Sequence, residues 1–463
     1  MKMVSVLLFS AILSAALKGP IRTESGLVSG TPGKHAGVTV FKGIPYAAPP
    51  VGPLRWKPPQ PALKWDGVRD GSRFGASCVQ IINQEKKPWT HEFLPHDTVS
   101  EDCLFLNIWT PAVRANEKRA VLVYLHGGGN IEGSGSVALY SGEGLASKGI
   151  VMVTINYRLG VFGFLAHPEL SAESENHASG NYGLLDEIAA LRWVRANIAA
   201  FGGDPERVTV AGQSAGGFHI AALLASPLAK GLFQRAILES GGAPDNTMEH
   251  VLAAAEEDGL RLAQAKGAHN LAEFRAMPWR EVFAPPPMGS GIRFWNLVDG
   301  YVVPASPDQV FADGKENDVP TLAGINADEF GAKPGAPARR NEAIRDRMRV
   351  LLLEWAAARA KGSKTPAFLY FFDHVLPGPD AGRFGAFHSA EIPYVLNNLA
   401  ESDRPFTAAD RKVAEMLSSY WVNFAENGDP NGKNLPHWPS ASEQPKMVMK
   451  LGDRCGPIPA AAR

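Results

Sequence analysis

Val208-Thr209-Val210-Ala211-Gly212-Gln213-Ser214-Ala215-Gly216-Gly217 runs from β-branched and apolar residues into the pattern G-x-S-x-G, then into small residues that a helix accepts. A strand that breaks sharply into a helix lifts the intervening side chain above the sheet, and glycines two before and two after it leave room for neighbouring backbone. Gly212 and Gly216 fill those places, so the stretch reads as a nucleophile elbow with Ser214 at its tip. Three fixed positions match by chance about once in a few chains of this length, so the reading rests on the surroundings.

Those surroundings are periodic. Leu104 to Trp109, Ala120 to Leu125, Ile150 to Asn156, Val208 to Ala211, Arg235 to Glu239, Thr321 to Ile325 and Ala367 to Asp373 are short runs of strand character. Between and after them, Leu184 to Ala200, Ala215 to Leu224, Met248 to Gly267, Arg345 to Ala360 and Thr407 to Glu426 carry helical spacing. Strands alternating with helices predict an α/β fold: a central, mostly parallel sheet, helices on both faces, and functional loops at the strands' C-terminal ends. Ser214 stands at one such end. Gly26 to Gly30 and Val38 to Phe41 flank a turn-rich TPGKHAG segment and read as an edge hairpin. Gly43 to Pro61 is too rich in proline for regular structure and reads as an ordered surface arm anchored by Tyr46, Leu54 and Trp56. Ala284 to Gly300 reads as an irregular, aromatic-bearing loop, part of a helical and loop cap inserted over the sheet.

The chain has 463 residues, 45% hydrophobic and 20% charged, with a formal net charge of -1. That balance allows a large core and argues against nucleic acid or a charged membrane surface as partner. Met3 to Ala16, after Lys2, is an apolar run too short for a stable membrane span, with Ser14 and Ala16 placed for cleavage; residues 1–17 read as an export signal and 18–463 as one domain, secreted or periplasmic. Three cysteines are present. In an exported chain, Cys78 and Cys103 suggest a disulfide closing a short loop, worth ~3 kcal/mol by loop entropy, with Cys455 left over; three unpaired buried cysteines is the alternative that spacing leaves open. The cysteine and histidine spacing matches no metal site, and nothing in the chain calls for a cofactor.

A reactive serine needs a base, a carboxylate to orient it, and donors for the oxyanion. His126-Gly127-Gly128-Gly129 follows a predicted strand directly, and its backbone N–H groups, with that of Ala215, suit a three-donor oxyanion hole. His126 itself reads as a structural residue holding that loop. For the acid, Asp328 and Glu329 both follow the strand Thr321 to Ile325, and either carboxylate has the reach. Composition does not choose among His219, His250, His269, His374, His388 and His437. His219 lies only five residues down the elbow's own helix, whereas His388 sits in a loop between a strand and an apolar segment, a better place for a base.

Several stretches together resemble the type B carboxylesterase family, cholinesterase-like members of the α/β-hydrolase fold: Phe41 to Pro50, Ser100 to Trp109, His126 to Gly129, Asn156 to Phe164, Gly180 to Asp186, Phe201 to Gly217, Asn326 to Glu329, Gly385 to Glu391 and Trp421 to Gly432. The resemblance spans nearly the whole chain after the signal. It implies a serine carboxylesterase acting on small-molecule esters, with Ser214 as nucleophile, Glu329 as acid, His388 as base, and Gly128, Gly129 and Ala215 as oxyanion donors. It also implies a Cys78 to Cys103 disulfide, an Arg55 to Glu101 salt bridge, and Ser240 supporting the triad. Gln213 stands where cholinesterases carry glutamate, and Trp89 does not match their choline site, so choline esters are disfavoured. The segment from Glu329 to His388 is shorter than in relatives, which trims part of one gorge wall. Phe283, Phe294 and Trp295 are candidates either for an apolar gorge wall or for plain core. The same machinery would serve amides, thioesters or natural-product esters, and the family also contains non-catalytic binding proteins, which typically lose the serine or the histidine.

Overall fold

Strand Arg119–Leu125 (RAVLVYL) is buried at every position after the first, and Val121, Leu122 and Val123 are fully enclosed. Successive side chains of a strand point to opposite faces, so unbroken burial means that both faces of the sheet are covered. In the computed structural model, which describes residues 17, 19–82, 87–242, 250–284, 291–329, 338–379 and 381–460, this strand lies inside an eleven-stranded sheet. In chain order the strands are β1 (Thr31–Pro32), β2 (Thr39–Pro45), β3 (Phe105–Thr110), β4 (Arg119–Leu125), β5 (Val151–Ile155), β6 (Gly203–Gln213), β7 (Arg235–Glu239), β8 (Thr321–Asn326), β9 (Ala367–Phe372), β10 (Met447–Leu451) and β11 (Gly456–Pro459). Across the sheet they run β11-β10-β9-β8-β7-β6-β4-β5-β3-β2-β1. All neighbours from β5 through β10 are parallel, and the pairs at either margin are antiparallel.

That order creates the site. The chain leaves β4 toward β5 on one side and leaves β6 toward β7 on the other, so the two loops diverge and open a crevice at the C-terminal ends of the strands. Register aligns the ends, with Gly212 opposite Leu125, Gln213 opposite Glu239, and Glu239 opposite Gly324. The loop after β4, the turn after β6 and the segment after β8 therefore reach the same crevice.

The covering helices follow their sequence spacing: α1 (Tyr182–Asn197), α2 (Ala215–Ala225), α3 (Leu252–Ala265), α4 (Ala338–Arg359) and α5 (Ala408–Asn427). α5 begins in a capping box in which Thr407 and Asp410 satisfy each other's backbone N–H groups, and it ends at Gly428 with a left-handed φ of 77°. Its buried Val413, Leu417, Trp421 and Phe424 recur at helical spacing and face the sheet. A second apolar cluster, in which Leu262, Leu271 and Phe274 pack on Trp56, Phe162 and Tyr182, supports the inserted cap.

Several local expectations change. A hairpin forms, but between β1 and β2; Leu27–Ser29 instead joins a small separate sheet with Ile21–Arg22 and Val68–Asp70. Gly30 marks the switch, since a Cβ there would stand 2.7 Å from the Phe41 ring. The proline arm packs as expected: Tyr46 donates its hydroxyl to Asn156 O at 2.6 Å, and the buried Trp56 ring donates to Val161 O at 2.9 Å. β10 and β11 were not legible, because β11 is a Gly-Pro-Ile-Pro edge strand that looks like coil. The export-signal expectation lies outside the described residues except for Leu17, which is 9% exposed and belongs to the main core. Cys78 and Cys103 are disulfide-bonded with Cα atoms 5.0 Å apart, and Cys455 is free. Beside that bridge, Arg55 grips Glu101 through two contacts of 2.6 and 2.7 Å. Among the described residues no helix is long and apolar enough to cross a membrane.

Candidate active site

Ser214 adopts φ 56° and ψ -120°, a strained conformation for a residue with a side chain. Two interactions hold it there: its N–H donates to Glu239 O at 2.8 Å, and its carbonyl accepts from Phe218 N at 3.1 Å as α2 begins. The turn packs directly on β4. A Cβ at Gly216 would lie 2.2 Å from Leu125 O, so only glycine permits the contact. Ser240, one residue past β7, also has positive φ (52°), and its N–H reaches Gly324 O at 2.8 Å. Its hydroxyl is buried without a hydrogen-bond partner, so any support it gives the site passes through the backbone.

The glycine loop after β4 is clamped at both ends. The His126 ring stacks on Tyr157 with centroids 4.3 Å apart, its Nδ1 lies 2.8 Å from Gly127 O, and the Tyr157 hydroxyl donates to His126 O at 2.6 Å. Burial lowers the His126 pKa to about 4, so the ring is neutral near pH 7 and acts as packing. At the far end, the Gln80 side chain bonds both Gly133 N (2.8 Å) and Gly133 O (2.7 Å), tying the loop to the disulfide region. Between them, Gly128 and Gly129 take φ of 111° and 61°. Among the described residues the N–H groups of Gly128, Gly129 and Ala215 meet no protein acceptor.

Of the two carboxylates after β8, one meets the imidazole. Glu329 Oε2 lies 2.5 Å from His388 Nδ1, while Glu329 Oε1 accepts from Asn326 N at 2.7 Å. Asp328 instead anchors the histidine loop: it bridges to Phe387, its N–H donates to Ala386 O at 2.9 Å, and its carboxylate accepts from Ala386 N at 3.0 Å. Residue order alone leaves these two acids open and the family resemblance points to Glu329; the difference is which way each faces off a shared turn. His388 Nε2 lies 3.2 Å from the Gln213 amide nitrogen, and no hydrogen bond joins it to Ser214 Oγ. Trp89 donates to His388 O at 3.1 Å, so the residue that fits no choline site holds the His388 backbone. His374 makes similar carboxylate contacts, to Asp453 at 2.7 Å and Asp410 at 2.9 Å, and these tie the turn after β10 to α5.

Two further carboxyls are buried beneath the site. Glu239 accepts from Trp421 Nε1 at 2.7 Å and from the Tyr124 hydroxyl at 3.0 Å, and burial raises its pKa to about 7. Glu391 hydrogen-bonds the Asn326 amide. Burial, then the charges of Glu239 and Glu329, push the Glu391 pKa well above its ordinary value, toward the neutral form. Of the aromatic candidates, Trp295 packs edge-on against Phe218, four residues after Ser214, with centroids 5.6 Å apart. Phe283 and Phe294 pack into the second core cluster.

Comparison with known proteins adds to this geometry. A profile described as the Carboxylesterase family matches residues 18–334 and 338–457. Fumonisin B1 esterase of Sphingopyxis macrogoltabida is 38% identical over 485 residues, covering 94% of this chain and 86% of the relative. Para-nitrobenzyl esterase of Bacillus subtilis is 34% identical over 481 residues, covering 93% and 94%. A Geobacillus stearothermophilus carboxylesterase crystal structure superposes with a TM-score of 0.80 at 32% identity, covering 96% of this chain and 98% of that one.

The buried Glu239 makes a testable contribution to stability. Its folded pKa, about 7, exceeds the ordinary 4.5, so the folded state binds the proton more tightly. Stability from this group is therefore full below about pH 4.5 and is lost as pH rises through 7. Glu239→Gln should match the parent's stability near pH 4.5 and exceed it increasingly toward pH 9, by up to about 3 kcal/mol, with a melting temperature that rises accordingly. Melting curves across that range check it; a difference that stays flat with pH contradicts it.

Proposed function

The chain belongs to the carboxylesterase family, and from that premise we propose how its residues carry out the hydrolysis. As a serine carboxylesterase it cleaves a carboxylic ester into acid and alcohol in two acyl-transfer steps. Ser214 Oγ attacks the ester carbonyl as His388 Nε2 takes its proton, and Glu329 holds the Nδ1–H tautomer and offsets the charge of the imidazolium. The oxyanion is bound by the N–H groups of Gly128, Gly129 and Ala215, each donor lowering the barrier by about 3 to 4 kcal/mol. His388 then returns the proton to the departing alcohol. Water, deprotonated by the same ring, attacks the acyl-serine and frees the acid.

The observation that carries this reading is the 2.5 Å contact of Glu329 with His388, on a loop that also brings the other ring nitrogen to the residue preceding Ser214. In the free enzyme the Gln213 amide occupies that nitrogen. Catalytic hydrogen bonds often tighten only with substrate bound, and here the ring exchanges its Gln213 contact for Ser214 as the ester enters. The named relatives are an esterase of fumonisin B1 and a para-nitrobenzyl esterase, and the cap loop bearing Trp295 leaves an aromatic side chain beside the elbow. The substrate class is accordingly a carboxylic ester with a sizeable apolar group.

The Cys78–Cys103 bridge suits an oxidising compartment, which supports export; because Leu17 packs in the core, the cut is placed after Ala16, one residue before the 1–17 bound read from sequence. Intact mass of the protein recovered outside the cytoplasm tests this: it should lack residues 1–16, and a full-length mass there would refute it. For the chemistry, Ser214→Ala should reduce kcat on p-nitrophenyl butyrate by about 10⁴-fold or more while the melting temperature stays near the parent's. Full turnover by that variant would overturn the assignment. A panel of short, long and aromatic acyl esters beside the matching amides reads out the substrate class.

A further inference from the structure

Behind the glycine loop lie three buried side chains that the proposed reaction does not use, two of them meeting the ring of the third. Glu187 comes from α1, His219 from α2, and Asn130 directly follows Gly129. His219 Nδ1 lies 2.6 Å from Glu187 Oε1, and its Nε2 lies 2.8 Å from Asn130 Oδ1. All three residues are 0% exposed.

The cluster reaches both ends of the loop. At the C-terminal end it holds Asn130, which takes a left-handed φ of 62° and whose carbonyl accepts from Gly160 N at 2.6 Å. At the N-terminal end the His219 ring packs edge-on against Tyr157, 5.0 Å between centroids, and Tyr157 is the residue stacked on His126. Asn130 Nδ2 also faces Asn296 Oδ1 at 3.4 Å, one residue from Trp295 on the cap loop. Packing alone gives no reason for this chemistry. α2 is otherwise almost wholly apolar (AGGFHIAALLA), and buried polar pairs are often matched or bettered in stability by hydrophobic residues of the same volume. What polar groups supply and apolar ones lack is direction: the hydrogen bonds run from Glu187 through His219 to the Asn130 side chain, directly after Gly129. An oxyanion hole depends on such direction, because donors act only where they aim at the developing charge.

We propose that Glu187, His219 and Asn130 form a buried positioning relay that sets the orientation of the Gly128 and Gly129 N–H groups. The relay rests on the reading that those groups bind the oxyanion, so the experiment must separate the two. Asn130→Gly keeps the left-handed backbone accessible and removes the side-chain links to His219 and to Asn296. Glu187→Leu/His219→Leu removes the pair without stranding a buried charge. Each is measured with p-nitrophenyl butyrate and with a pair of inhibitors, an alkyl trifluoromethyl ketone that adds to Ser214 as a tetrahedral oxyanion and the methyl ketone of the same chain length that does not.

In the parent, strong preference for the fluorinated ketone is expected. Absence of that preference overturns the oxyanion reading and the relay with it. Both variants should lose about 10- to 100-fold in kcat with KM within about twofold, and lose affinity for the trifluoromethyl ketone in the same proportion while methyl ketone binding holds. If the parent discriminates and Asn130→Gly retains both its kcat and that discrimination, the relay is overturned while the oxyanion reading stands. Asn130→Gly decides the matter even if the double variant fails to fold.

Discussion

The structure depends on one strained residue held in place by backbone. Ser214 keeps φ 56° because β7 receives its N–H through Glu239 O, and because Gly216 allows the turn to press against Leu125 O of β4. Both constraints require β6 to lie between β4 and β7, parallel to each and in the observed register. The strand order that supplies this also sends the loops after β4 and β6 in opposite directions. Crevice, serine and glycine loop are thus consequences of one piece of sheet topology.

Around that turn, polar groups are buried where their direction matters. Glu329 spends one oxygen on His388 and the other on the Asn326 N–H, so the carboxylate has little freedom to rotate. Asp328, the acid beside it, fixes the loop on which His388 rides. Lower down, burial pushes Glu239 and Glu391 toward their neutral forms, and Glu329 is the carboxylate placed to meet the ring. Hydrogen bonds in this enclosed environment are stronger than in water and leave fewer alternative arrangements open, which suits a site whose parts come from several separate segments of chain.

How much of this was legible followed from where the information lies. Strands β4 to β9 and helices α1, α2 and α5 are written locally, in apolar runs and helical spacing, and they appear within a few residues of their expected bounds. The elbow, the glycine loop, the disulfide and the Arg55–Glu101 pair were available from motif and family resemblance. Glu329 was not separable from Asp328 by residue order, because a one-residue difference after a strand decides only which way a side chain faces. Gln80, Trp89 and Gln213 were missed as site residues because their contacts join segments distant in sequence. His219 was set aside for lying too close to Ser214; a polar residue in an otherwise apolar elbow helix was the available signal that something buried would partner it.

The central claim is that a single activated hydroxyl carries the acyl group. Treating the protein with diethyl p-nitrophenyl phosphate tests it most directly, since the diethylphosphoryl group transfers to the nucleophilic oxygen and p-nitrophenolate leaves. Peptide mass spectrometry should find one diethylphosphoryl group per chain, on Ser214, with its occupancy rising in step with the loss of esterase activity. Modification confined to another residue, or inactivation that leaves Ser214 unmodified, would contradict the account.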